Sequence, residues 1–500
     1  MSVSAIGGQA GQAIQQLVTM RAQFDDLQRQ LSTGQKSATY SGLGLDRGVT
    51  VSLNAQLSAI SGFDDTISNV MTRVNLMNTA LGQMSTITSS VKAAMVQANT
   101  TGNGSGPGLA QQTAQSSLDQ LLSLLNTQAG DHYLFSGRST DQPAVETTDH
   151  ILNGNGAQAG LKQLISERTQ ADLGADGLGR LVINQANPTT VDIAEDSASP
   201  FGLKLASVTS NLTNANVTGP TGYPASLQID MTGGVPNPGD TVTLRFNLPD
   251  GTSQNLTLTA TDSATPGANE FGIGANPAAT AANLQAAVTA GVSKLAATSL
   301  TAASAATASG DFFNADATNP PQRVDGPPFN TATGMVAGTT ANTVIWYTGE
   351  TGSDPARSTS TARIDPSLSV SYGARANEDG FRTMLQNVAT LAATSISSTD
   401  PNARDLSAAL NQRLTANLSP AGGQTITNIA TDLASAQTSM NAAKDRHQQT
   451  SATLNDYLQQ ISGVSNESVS SQILALQTRM QASMQTTAML FQTSLMNYLK

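Results

Sequence analysis

The stretch LNAQLSAISGFDDTISNVMTRVNLMNTALGQMSTITSSVKAAM, residues 53–95, carries apolar side chains every seven residues. The first series is Leu53, Ile60, Ile67, Val74, Leu81 and Met95, with Thr88 in the remaining place. The second series follows three residues behind and is Phe63, Val70, Met77, Met84 and Val91. Such a heptad pattern places both series on one face of a helix, which needs a partner helix to cover it. The stretch therefore predicts one long helix with a coiled-coil-like seam.

A second pattern of this kind runs from residue 426 to residue 461 and supplies that partner. Its members alternate in steps of three and four and are Ile426, Ile429, Leu433, Ala436, Met440, Ala443, His447, Thr450, Leu454, Tyr457 and Ile461. Together the two helices predict a helical stem. We expect its core to contain Ile67, Val74, Leu81, Met84, Leu433, Met440 and Leu454.

The two ends of the chain read as further amphipathic helices. The segment STGQ, residues 32–35, ends the first of them, and Gly463 separates the last from the stem. A lone helix of this type is marginal in water, so we predict that the two pair and bury their remaining apolar side chains against other subunits. The predicted assembly interface consists of Ile6, Ile14, Leu17, Phe24, Leu27, Leu31, Ile473, Leu476, Met480, Met484, Phe491, Leu495 and Leu499.

The residue pattern changes between about residues 140 and 375, where Gly, Thr, Ser and Pro separate short segments with the alternation typical of strands. Alternating apolar residues on both sides of Pro249-Asp250-Gly251 predict a β-hairpin, and Asn276 followed by Pro277 predicts the start of a short helix. The expected fold is a mainly α stem with an inserted β-rich α+β middle domain. We expect terminal helices at 1–40 plus 466–500, a stem at 41–139 plus 376–465, and an insertion at 140–375 of one or two subdomains.

Composition excludes several classes of function. The net charge is −11 and only 12% of the residues are charged, without a basic cluster, so a nucleic-acid partner is not expected. The chain has no cysteine, which excludes disulfides and thiolate metal sites. No stretch has the length of a membrane span, and the first residues lack the pattern of a cleaved secretory signal.

Chemistry-bearing residues are scattered, so we expect no catalytic, cofactor-binding or metal site and no enzyme activity. His132, His150 and His447 are far apart in sequence. For His447, a partly exposed side chain is favoured over a buried residue that sets helix register. The pairs Asp25-Asp26, Asp64-Asp65 and Glu378-Asp379 are expected on solvated faces. GNGSGPG, within 101–108, is expected to be an interhelical loop.

The single tryptophan, Trp346, lies in the segment TVIWYTGE. The favoured interpretation is a core residue on a strand. The alternative is a surface residue that contacts a glycan or another subunit.

Four segments carry a family likeness: LQRQLSTGQK (27–36), DHYLFSGRSTDQPAV (131–145), SLSVSYGARANEDGFRTMLQNVATLA (367–392) and ILALQTRMQASMQTTAMLFQTSLMNYL (473–499). With them the chain resembles the flagellin superfamily, and within it the hook-associated proteins of the hook–filament junction. The resemblance implies an extracellular axial protein of the bacterial flagellum, exported without a cleaved signal and without membrane insertion.

The same resemblance implies that the paired terminal helices form a ring with further copies of the chain. The implied partners are the chain itself, another hook-associated protein, flagellin and an export chaperone. Two alternatives stay open: a filament flagellin, or an adhesin displayed on a flagellin-like stem.

Overall fold

The structure is a computed structural model and describes residues 3–100, 106–397, 399–417 and 423–498. Its helices are α1 (Val3–Thr33), α2 (Arg47–Thr100), α3 (Gly106–Leu125), α4 (Thr148–Asn153), α5 (Leu161–Leu173), α6 (Pro277–Leu295), α7 (Thr301–Asn314), α8 (Asp379–Ala393), α9 (Ala403–Asn417), α10 (Ile426–Ser462) and α11 (Asn466–Tyr498). A π-helical turn, Ala296–Leu300, joins α6 to α7, and 3-10 turns cover Tyr40–Asp46, Phe329–Thr331 and Ala356–Thr359.

The strands are short and lie between α3 and α8. They are β1 (Gln128–Ala129), β2 (His132–Tyr133), β3 (Leu181–Asn184), β4 (Thr190–Glu195), β5 (Lys204–Ser210), β6 (Asn216–Thr221), β7 (Ser226–Asp230), β8 (Thr241–Asn247), β9 (Ser253–Thr261), β10 (Glu270–Gly272), β11 (Arg323–Val324), β12 (Met335–Val336), β13 (Thr361–Asp365) and β14 (Leu368–Ser371). The predicted fold class, long helices from both ends with a β-rich middle, is confirmed.

Contacts divide the chain into two compact units. The first comprises Met1–Met71, Ala362–Val370 and Gln437–Lys500, and the second comprises Thr72–Thr361 and Ser371–Ala436. The sequence-based division into terminal helices, stem and insertion draws its boundaries elsewhere and stays a proposal.

The first unit is built around two helix pairs. Helices α1 and α11 pack side by side. Gly34, with φ +69°, ends α1 in a left-handed conformation that glycine adopts at little cost. Main-chain hydrogen bonds join this end of α1 to the turn that precedes α11. The Lys36 N–H donates to the Ser462 carbonyl at 2.7 Å, and the Val464 N–H donates to the Gly34 carbonyl at 3.0 Å.

Helix α2 is one continuous element, as the heptads predict, but it begins at Arg47, six residues before the first heptad leucine. Eight of the heptad positions between Ile67 and Met95 are buried, and Ile60, Phe63 and Thr88 are half-buried. In the first unit, α10 runs antiparallel to α2, since Ser462 lies near the start of the stem and His447 contacts Asp64. The periodicity thus identifies the packed face of α2, whereas on α10 the predicted positions Thr450 and Tyr457 are exposed.

The second unit contains two four-stranded sheets that share one core with α6. One sheet has the order β10-β9-β8-β5 and the other the order β3-β4-β7-β6. All their pairings are antiparallel except β9 with β10. Leu244, Phe246, Ile193, Ile229 and Leu284 meet in the shared core. The predicted β8–β9 hairpin forms, with Gly251 at φ +77° in its turn.

Helices also pack against the inserted segment in this unit. Helix α7 contacts α5, α8 and α9, and its buried face is rich in alanine. The ends of the insertion meet in an antiparallel bridge: Ala376 N–H donates to the Phe135 carbonyl at 2.8 Å, and Gly137 N–H donates to the Ala374 carbonyl at 3.2 Å. The insertion therefore leaves and re-enters the helices at one place.

Candidate assembly surface

The face between α1 and α11 is only partly closed within one chain. Leu476 is buried, and Leu17, Phe24, Leu27, Ile473 and Met480 are half-buried. A two-helix pair can cover one stripe of each helix, while apolar groups outside that stripe face solvent. Local pairing thus accounts for the middle of the predicted interface.

Other predicted interface residues are exposed in the single chain. The exposed fractions are 49% for Ile14, 39% for Leu31, 50% for Met484 and 49% for Phe491. The side chains of Ile6 and Leu495 and the whole of Leu499 lie outside the described residues. Whether any of these side chains is buried on assembly stays a prediction.

Three exposed apolar residues of the same helix pair were not in the predicted set, and one of them, Met489, is 63% exposed. Val18 is 64% exposed and Leu474 is 65% exposed. Val18 follows Ile14 by four residues and lies on the same face of α1, whereas Leu474 lies about 100° around α11 from its neighbour Ile473. Counting every apolar residue within one turn of the stripe would have found both.

The start of α11 is fixed by a polar cap. The Ser468 N–H donates to the Ser465 hydroxyl at 3.3 Å, and that hydroxyl donates to the Glu467 carboxylate at 2.6 Å. The hydrogen bond from Ser465 lowers the pKa of Glu467. On α1, the hydrogen bond from Arg29 lowers the pKa of Asp26. Both carboxylates remain charged at neutral pH and keep these ends of the helices polar.

All seven residues predicted for the stem core are buried. Their exposed fractions are 0% for Ile67, Val74, Met84, Leu433 and Met440, 2% for Leu81 and 8% for Leu454. Full burial of one such side chain contributes about 1.5–3 kcal/mol, so the seam is a main source of stem stability.

The expectation of a partly exposed His447 is wrong. Its side chain is 6% exposed, and its Nδ1 lies 2.7 Å from Oδ1 of Asp64. The Phe63 ring packs against the imidazole, with 6.1 Å between ring centroids. The seam position of His447 forces it inward, where a carboxylate flanking the seam can satisfy its N–H group. Asp64 is consequently a hydrogen-bond acceptor rather than a purely solvated residue.

The Glu378 side chain is another departure from the expected solvated face, because it is only 7% exposed. Its carboxylate accepts hydrogen bonds from the Arg357 guanidinium, from the Arg375 N–H at 3.1 Å and from Gln424 at 3.0 Å. Arg375 lies three residues before Glu378, but Arg357 and Gln424 are distant in sequence, so no local spacing could reveal the full set of partners. The neighbouring Asp379 has a side chain that is 62% exposed, and it pairs instead with half-buried Arg382 on the first turn of α8.

Trp346 is a core residue, as favoured, but it lies in an irregular segment rather than on a strand. It is 1% exposed, and its Nε1–H donates to the Phe313 carbonyl at 3.0 Å. The end of α7 covers the indole and satisfies its donor, which leaves no free edge for a glycan or another subunit.

The described residues contain no group of three or more His, Cys, Asp or Glu residues arranged to hold a metal ion. Among them, no helix has both the length and the apolar character needed to cross a membrane. The first four residues of the GNGSGPG segment, 102–105, lie outside the described residues, so their predicted loop role stays a prediction. The last three, 106–108, belong to the start of α3 and not to a loop.

Comparison with known families places these features in context. Residues 8–140 match the family described as the bacterial flagellin N-terminal helical region. No curated protein matches the chain significantly. The matched region contains most of α1 and all of α2 and α3. Helix α1 belongs to the terminal helix pair, and α2 carries the heptad seam of the stem. The chain therefore carries a region similar to the flagellin N-terminal helical region, and this match supports a relationship to the flagellin superfamily.

Proposed function

We propose that the chain is the adaptor that joins hook to filament, a protein of the hook-associated protein 3 type. The observation that carries this proposal is the α1–α11 pair with its exposed apolar side chains. Ile14, Val18, Leu474, Met484 and Phe491 are each at least 49% exposed. Several exposed large apolar side chains on one helix pair are typical of a region that another protein covers.

The proposed partners follow from the same surface. Further copies of the chain would supply an identical apolar face and close a ring around an axis. Filament flagellin and another hook-associated protein would continue the stack above and below. An export chaperone would cover the C-terminal helix before assembly, and transport would need no cleaved signal.

The assignment of the junction rather than the filament rests on the sequence. The YLFSG turn at 133–137 and the SLMNYL ending at 494–499 resemble the junction protein. The turn is well anchored here: Phe135 is buried against Phe381, with edge-to-face rings 5.5 Å apart. Filament flagellin is the alternative within the same class, because the matched family region is shared by both kinds of protein.

An adhesin on a flagellin-like stem is the alternative from another class. The outward face of the β8–β9 hairpin carries hydroxyl side chains, and the hydroxyls of Thr243 and Thr257 lie 2.9 Å apart. This face could present polar groups to a glycan, but the hydrogen bond within the ladder already satisfies part of them. The assembly surface therefore favours the structural role.

Labelling isolated flagella tests the proposal. An antibody raised against the β8–β9 hairpin should mark a single point at the base of each filament. Labelling along the whole filament would identify a filament flagellin. Absence of label from flagella, with label elsewhere on the cell surface, would favour the adhesin.

A further inference from the structure

One polar side chain interrupts the apolar seam of α10 in the first unit. Met440, His447 and Leu454 are successive members of one heptad series, and all three are buried. A polar group in such a seam costs stability unless it finds a partner, and in coiled coils a single one can specify register. His447 therefore constrains which residues of α2 can lie opposite it.

His447 has a partner on each packed element. Its Nδ1–H donates to Asp64 of α2 at 2.7 Å. Its Nε2 faces Asp365 of the β13–β14 hairpin, 3.9 Å from Oδ2. Arg446, the neighbour on α10, also reaches Asp365 at 3.5 Å. The imidazole thus joins α2, α10 and the hairpin within the first unit.

Only one helix alignment provides that carboxylate. One heptad before Asp64 stands Leu57, and one heptad after it stands Met71. Because α2 and α10 are antiparallel, a slip of seven residues places His447 opposite one of these apolar side chains. The same slip places Asp64 opposite Met440 or Leu454. The apolar seam repeats every seven residues, so a slip of seven residues again places apolar side chains opposite each other. Apolar packing alone therefore favours the observed alignment only weakly.

We propose that His447 and Asp64 set the axial register of α10 against α2. The pair acts by making the slipped alignments unfavourable, since each slip leaves a buried imidazole without its acceptor. The inference rests on contacts within one chain and does not depend on the flagellar role.

Engineered cysteines can report the register, because the natural chain has none. The pair Leu57→Cys with Leu454→Cys reports the observed alignment, being one heptad from Asp64 and His447 respectively. The pair Leu57→Cys with Ile461→Cys reports a slip of one heptad. In the observed alignment this second pair is about 10 Å further apart along the axis, beyond the ~7 Å reach of a disulfide.

Each reporter is oxidised in three backgrounds: the natural sequence, Asp64→Leu with His447→Leu, and Thr450→Leu. Thr450 is exposed on the same helix, so its exchange adds an apolar group without touching the pair. We expect the cross-link that reports the slipped alignment to form at least about tenfold more in the double variant, and only there. This factor corresponds to about 1.4 kcal/mol, the cost of burying an unpaired imidazole that the double variant no longer has.

Three outcomes overturn the proposal. The first is a double variant that forms only the native cross-link, which would show that packing or the turns fix the register. The second is loss of helical circular dichroism in the double variant, since a register-setting pair, unlike a packing residue, is dispensable for helix formation. The third is slip cross-linking in the Thr450→Leu background, which would show that any added apolar side chain on α10 permits the slip.

Discussion

At the scale of single residues, the second unit contains both a buried and an exposed ion pair. Arg413 of α9 is 5% exposed at its side chain and holds Asp250 of the β8–β9 turn, with 2.6 Å between Nε and Oδ2. It also donates to the Thr252 hydroxyl at 3.2 Å. Lys294 and Asp405 form a pair at 2.9 Å in which both side chains are at least half exposed. The two ion pairs therefore differ mainly in the burial of their side chains.

Exchange of Asp250 for Ala should therefore be costly. It leaves the Arg413 guanidinium buried without its counter-ion, and breaking a pair of this kind costs about 3–5 kcal/mol. Asp405→Ala is the matched control and should cost no more than about 1 kcal/mol. Urea unfolding at neutral pH measures both. Equal losses in the two variants would contradict the distinction.

Asp240 provides a test with pH. Hydrogen bonds from Thr213, and from the N–H group of Asn237, hold the pKa of Asp240 below its ordinary value of 3.8. A folded-state pKa below the unfolded one contributes stability above that ordinary value, and the contribution is lost as the pH falls through the folded-state value.

We expect Asp240→Asn to be less stable than the natural protein at pH 7, with the difference shrinking on acidification towards the folded-state pKa. Asp262→Asn, at an exposed site after β9, is the control for the loss of one exposed carboxylate. Urea midpoints across the acid range measure both. A difference for Asp240→Asn that stays constant with pH would contradict the assignment.

At the scale of elements, the seam separates two faces of one helix. Leu81 is 2% exposed, whereas Leu76 on the same helix is 37% exposed. We expect Leu81→Asp, and Leu433→Asp on α10, to place a carboxylate in the apolar seam at several kcal/mol. Limited proteolysis should then cut α2 and α10 rapidly. Leu76→Asp should leave both helices resistant, and resistance in all three variants would show that the seam is not a packed core.

The terminal helix pair allows an experiment that measures monomer stability and assembly separately. Ile14→Ser with Phe491→Ser should lower monomer stability by about 1.5–3 kcal/mol, the contribution of the half of each side chain that is already buried. On assembly the exchange should remove about 1.5–3 kcal/mol per subunit, half of the value for two full burials. Sedimentation of the purified protein measures assembly.

Leu476→Ser is the control for that experiment, because Leu476 is buried between the paired helices. It should lower monomer stability as well as assembly. Unchanged assembly in the Ile14 and Phe491 variant would remove this surface from the proposed function.

Helices with a regular apolar repeat could be predicted from the sequence, whereas contacts between residues distant in sequence could not. The ends of α10 match the predicted apolar series to within one residue, because Ile426 opens it and Ile461 nearly closes it. The order of strands in the two sheets joins residues distant in sequence, so no spacing encodes it. The burial of Glu378 and the acceptor for His447 depend in the same way on segments that only the fold brings together.

At the scale of the whole molecule, the insertion is more than an attached module. Its ends meet at Ser136 and Arg375, which favours simple excision. However, Phe312 and Phe313 of α7 are buried, and α7 packs against α8 and α9. Removal of 140–375 would expose the faces of α8 and α9 that α7 covers.

We accordingly expect deletion of 140–375 to cost the second unit its cooperative thermal unfolding and to increase binding of a hydrophobic dye. A deletion of residues 219–224, the exposed or half-buried end of β6 and the turn that follows it, is the control and should unfold nearly as the natural protein does. A cooperative transition without dye binding after the large deletion would show that α8 and α9 are self-sufficient.

The crossing of the chain at Gly34–Lys36 and Ser462–Val464 has a mechanical consequence. Main-chain groups form its two hydrogen bonds, at 2.7 and 3.0 Å, so the tie survives changes of side chain. A tensile load applied to the terminal helices reaches this crossing through both segments of the chain at once. The tie then shares the force between the start of α2 and the end of α10, and neither helix bears the full pull alone.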